Sequence, residues 1–192
     1  DELRGRVGGV QALVFTGFMP AAALFHGALA DALDLRTMLH LSGLAHALLG
    51  GAATLAVTPA LGTASGAFLA ATVLMDGDHY LDYLYRNRFR DFSLRRALEF
   101  HRLLFFRVRE PSFLGLNVLH TVEALGLVAA LGALSGYSWL WAAFWGMVFH
   151  LGLDLAYLGA LGVPFIRAFS LIEYRLRWRR NDLPHHVRDP HR

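Results

Sequence analysis

Five long apolar segments leave this sequence few choices of fold. Residues 7–30, 39–58, 60–82, 113–134 and 138–163 each approach the ~20 apolar residues that a helix needs to cross a bilayer. Inside lipid every backbone N–H and C=O must be satisfied within its own segment, which favours helices. Pro20 is expected as a tolerated kink, Pro59 as the end of the second span and Pro164 as the end of the fifth. The expected fold is therefore all-α: a polytopic membrane helix bundle of four to five transmembrane helices, with residues 1–192 forming one integral membrane domain. Composition agrees, because 55% hydrophobic and only 17% charged residues, with mean hydropathy +0.40, give more apolar surface than one small soluble core can bury.

Charge sets the orientation. The net charge is +3, and the arginines concentrate in 86–109 and beyond 166. They flank apolar segments instead of forming a basic face interleaved with aromatics, so membrane lipids are the expected partners and nucleic acid is not. Arg86, Arg88, Arg90, Arg95, Arg96, Arg102, Arg107 and Arg109 fall in one loop, which is expected at the cytoplasmic face with the basic amphipathic tail over 164–180. Leu94, Leu98, Leu103 and Phe105 alternate with arginines and predict a helix lying on the membrane surface. The sequence lacks cysteine, which excludes a thiolate metal site or a cysteine nucleophile.

Against this apolar background the ionisable residues stand out, because each is costly in lipid. The second segment holds His40 and His46; the third ends in Asp76, Asp78, His79 and Asp82; His101 lies in the connecting run. The fourth segment carries His120 and Glu123, and the fifth His150 and Asp154. The pairs Asp76/His79, Asp78/Asp82, His120/Glu123 and His150/Asp154 are three or four apart, so on helices each pair shares a face. Imidazole and carboxylate ligands without sulfur suit Zn first, with Fe or Mn as alternatives, and the number of candidates leaves room for one or two ions. A catalytic ion keeps a coordination position open for water and lowers its pKa, while Glu123 or Asp82 is the candidate base or orienting group.

Each residue also has a plainer reading. His26 and His40 suit helix ends or packing, His185, His186 and His191 a polar tail, and Asp31 and Asp34 solvated loops. His150 with Asp154 alone equally suits an intramembrane hydrogen-bonded pair. The segment DGDHYLD is harder to read this way, since three acids with one imidazole repel one another unless a cation neutralises them.

The ordered set formed by His46 in SGLAHALLG, Asp76-x-Asp78-His79, His101-Arg102 followed by His120, and His150-x-x-x-Asp154 resembles the YdjM-like membrane-bound metal-dependent hydrolases. The resemblance covers about residues 40–155. It departs where that family has a compact His-Arg-Gly followed by Thr-His-Ser, since this chain reads HRLLFF and then LHTVE after a longer insertion. What the resemblance implies is a multi-pass inner-membrane protein hydrolysing a lipid-like or phosphoester substrate near the cytoplasmic face. The implied ligands are His46, Asp76, Asp78, His79, His101, His120, His150 and Asp154. Two other readings stay open: a haem-binding or electron-transfer subunit with His46, His120 and His150 as axial ligands, and an accessory subunit with protein partners in a larger membrane complex.

Overall fold

The computed structural model describes residues 35–106, 115–160, 162–163 and 165–180. The expected span over 7–30, Arg107, Arg109 and the tail histidines lie outside them. Regular structure among the described residues is helical, as expected for an all-α chain. The helices are α1 Leu35–Leu61, α2 Ser65–Leu74, α3 Gly77–Arg86, α4 Leu94–Phe106, α5 Val122–Ser135, α6 Ser138–Ala160 and α7 Leu171–Arg180. One isolated bridge pairs Gly115 with Arg167.

Two stretches, His46–Arg86 and Ser138–Gly159, are long and apolar enough to cross a membrane, and Val122–Ser135 is apolar but shorter. Large aliphatic side chains project outward, Leu55 at 77% and Leu134 at 86% exposure. Such apolar exposure is what lipid would cover.

Several boundaries differ from expectation for local reasons. α1 runs through Pro59 and stops at Gly62, whose φ of +57° is the left-handed cap that glycine supplies without cost. Among the described residues of the expected span over 113–134, the α-helix begins at Val122. At 14 residues, α5 is about 21 Å long, short of the ~30 Å hydrocarbon core. The tail helix begins at Leu171 instead of 164, because Ser170 Oγ accepts from the N–H groups of Ile172 (3.1 Å) and Glu173 (3.4 Å) while Glu173 Oε2 accepts from Phe169 N–H at 2.9 Å.

The chain divides into two compact units, residues up to Met75 with Leu125–Pro164, and Asp76–Ala124 with the residues from Phe165 onward. In the first, α2 packs on α6 and on α1 around Ala53, Val57, Phe68, Ala142, Phe149 and Leu153. Gly146 makes this approach possible, since a Cβ there would run into the Phe68 carbonyl and the Ala71 methyl. In the second, α3 packs on α4 through Tyr83, Leu84, Ala97 and Phe100. Leu94, Leu98 and Leu103 of α4 are exposed, as a helix on a membrane surface requires.

Candidate metal centre

Within the first unit, His46 of α1 and His150 and Asp154 of α6 come together. His46 Nε2 lies 3.4 Å from Asp154 Oδ1, and His150 Nε2 lies 3.7 Å from Asp154 Oδ2. One ligand atom from each of the three falls within 4.8 Å of the other two. The imidazole rings stand 5.3 Å apart, centroid to centroid. These N···O separations exceed the ~2.7–3.2 Å of a good hydrogen bond. They approximate an edge of a coordination tetrahedron, since two ligand atoms each ~2.1 Å from an ion stand ~3.4 Å apart. The donor set, two imidazoles and one carboxylate, suits Zn, Fe or Mn.

The orientation of His150 is fixed from behind. Its Nδ1 donates to the Thr72 carbonyl at 2.7 Å, which turns Nε2 toward Asp154. Thr72 carries a carbonyl that needs such a donor because α2 ends at Leu74, within a turn of it. The Thr72 hydroxyl donates to the carbonyls of Phe68 (2.9 Å) and Gly146 (3.2 Å), tying α2 to α6 at the same level.

Within the second unit, Asp76, Asp78, His79, His101 and His120 gather with Asn117. Here hydrogen-bond distances separate two kinds of residue. Asp78 Oδ2 accepts from His120 Nδ1 at 3.0 Å and from Leu119 N–H at 2.9 Å, and Oδ1 accepts from Asn117 Nδ2 at 3.2 Å. Asp78 is buried and accepts from three donors, so it orients His120 and the turn carrying it. Asp76, half-exposed, places Oδ1 3.3 Å from His79 Nε2 and 3.7 Å from His120 Nε2, again separations between ligands. His79 Nδ1 accepts from Asn117 Nδ2 at 2.7 Å.

The remaining expected site residues have other work. His101 Nε2 donates to the His79 carbonyl at 2.5 Å, its ring edge-on to that of His79. It positions His79, and burial, then the neighbouring His79, push its imidazole down to about 4, so it is neutral near pH 7. Asp82 chelates Arg86 Nε through both oxygens at 2.9 Å. Glu123 accepts from Ser170 Oγ at 2.6 Å and from Leu171 N–H at 3.1 Å, closing the start of α7. Both candidate bases thus have partners, Asp82 on its own helix and Glu123 at the start of α7. His120 is also not on a helix face with Glu123, since it sits in the 3-10 turn Val118–His120 that precedes α5. His40 belongs to α1, and its side chain lies outside the described residues.

Two positions escaped sequence reasoning. Thr72 acts through its backbone, for which the sequence carries no signal. Asn117 was visible as a lone amide in FLGLNVLH, a polar group that an apolar segment retains only with partners. No protein family, curated protein or solved structure matches the chain.

Proposed function

We propose that this protein is a multi-pass inner-membrane, metal-dependent hydrolase of the YdjM-like type, acting on a lipid-like or phosphoester substrate near the cytoplasmic face. The observation that carries the reading is the meeting of His46, His150 and Asp154 at ligand-to-ligand separations, beside a mainly apolar helix packing. A divalent ion there, Zn first and Fe or Mn next, would supply Lewis acidity toward water and a phosphoryl or carbonyl oxygen.

Within each unit, the candidate ligands are held by neighbours. Thr72 holds His150 in one orientation, Asp78 does the same for His120, and Asn117 steadies His79.

Metal content decides the matter. Protein purified in detergent without chelator carries one or two equivalents of divalent metal by mass spectrometry, and His46→Ala and Asp154→Asn each lose metal while keeping the helical circular dichroism of the parent. A metal-free sample with full hydrolytic activity on lipid phosphoesters overturns the reading.

A further inference from the structure

The second unit contains a groove of about 1210 Å³, above the ~300–1,000 Å³ typical of small-molecule pockets. Leu81, Tyr85, Phe89 and Val118 line it together with Asp78, and three arginines, Arg86, Arg88 and Arg175, share its wall. Arg86 is committed to Asp82. Arg88 and Arg175 are exposed, and neither guanidinium has a carboxylate partner among the described residues.

The backbone beneath Arg88 is unusual. Arg88 and Phe89 are successive residues with φ of 58° and 57°, the left-handed region that bulky side chains seldom enter. Neighbours enforce it: Arg88 N–H donates to the Tyr85 carbonyl at 3.1 Å and Phe89 N–H to the Leu84 carbonyl at 2.8 Å. Asn87 Oδ1 accepts from Arg90 N–H at 3.0 Å while its Nδ2 donates to the Asp91 carbonyl at 2.7 Å. Two glycines would make this turn without strain, so what the strained pair retains is its side chains, one cationic and one aromatic, on the groove.

We propose that this groove binds an anionic phospholipid, Arg88 and Arg175 holding the phosphate of its head and Phe89, Leu81 and Val118 flanking an acyl chain. Guanidinium groups match phosphate oxygens in pairs, and an exposed apolar wall beside them suits an amphiphile better than a soluble anion. The inference deepens the hydrolase reading by naming its substrate class and rests on that reading for turnover, whereas binding is tested separately.

The test measures binding of fluorescent phosphatidic acid and phosphatidylcholine to the chelator-treated full chain in neutral detergent micelles. Arg88→Gly combined with Arg175→Ala is the informative variant, because glycine adopts the same backbone and circular dichroism checks that the fold persists. The parent binds phosphatidic acid on the order of tenfold more tightly than phosphatidylcholine, as expected for charged hydrogen bonds to one phosphate. The variant loses this preference, and millimolar inorganic phosphate does not displace the lipid. Equal binding of the two lipids, an unchanged preference in the variant, or full displacement by phosphate overturns the proposal. A chain that purifies without metal, yet shows the preference, removes the hydrolase reading and leaves the groove; a chain that purifies with metal, yet lacks the preference, does the reverse.

Discussion

His150 donates from Nδ1 to the backbone carbonyl of Thr72 at 2.7 Å, and that bond links the packing of α2 on α6 to the aim of a candidate metal ligand. Gly146 sets the separation that the bond requires. Alanine at this position would press its methyl on the Phe68 carbonyl and Ala71, and a backbone carbonyl cannot step aside as a flexible side chain would. Gly146→Ala is therefore expected to destabilise the protein by about 2 kcal/mol or more, as overpacking does, and to reduce bound metal. Thermal melts in detergent with metal analysis check both. An unchanged melting temperature would mean that the two helices do not approach this closely.

Asp78 faces His120 at a hydrogen-bond distance, not a coordination distance. Removing its charge while keeping its shape should therefore weaken metal binding without abolishing it. Asp78→Asn is expected to lower affinity by roughly 10–100-fold, the usual cost of losing a partner behind a ligand. Titration with Zn²⁺ against a chromophoric chelator measures it. Loss as complete as that of Asp154→Asn would place Asp78 among the ligands after all.

The strained pair at 88 and 89 predicts a stabilising substitution in a site residue. Arg88→Gly relieves one left-handed residue and leaves the Asn87 hydrogen bonds in place. The expected gain is about 1 kcal/mol, the penalty of a non-glycine residue in that region, less the greater freedom glycine has when unfolded. Urea denaturation of the parent and variant in the same detergent gives the difference. A clear loss of stability would show that the Arg88 side chain contributes packing the geometry does not suggest.

How far the sequence carried the fold depended on the range of the interaction. The apolar runs placed α1, α2 and α6 because hydropathy is a local property, and the i, i+4 spacing of His150 and Asp154 brought both onto one side of α6. Sequence alone did not show that α5 starts only at Val122, since 113–121 is as apolar as a helix, yet the turn Val118–His120 lies against the Asp78 carboxylate. Ser170 and Glu173 did write the start of α7 as Ser-x-x-Glu, a capping signal outweighed by the basic amphipathic pattern around it. Of the partners of the two candidate bases, Arg86 was legible as the i, i+4 neighbour of Asp82 on one helix, whereas only tertiary structure shows Ser170 against Glu123.

Acid should loosen the second unit in two steps with different owners. Burial holds the His101 imidazole down at about 4, below its ordinary 6.5, so between these values the unfolded chain binds a proton that the folded chain refuses. Stability falls as pH is lowered through that window. Asp91 acts further down. Its carboxylate accepts from Tyr83 OH at 2.5 Å, Ser93 N–H at 2.9 Å and Arg96 Nη1 at 3.0 Å. The Tyr83 hydroxyl above all, then the Ser93 amide, hold it below the ordinary aspartate range. A depressed carboxylate contributes stability that is present above the unfolded value and disappears as pH falls through the folded one, below about pH 4. His101→Gln, which keeps a donor for the His79 carbonyl, is expected to flatten the upper step and leave the lower. Asp91→Asn is expected to flatten the lower step at the cost of stability near pH 7. Melting temperatures of the chelator-treated protein from about pH 7 to pH 3 separate the two. An upper step that survives His101→Gln would assign the proton to another group.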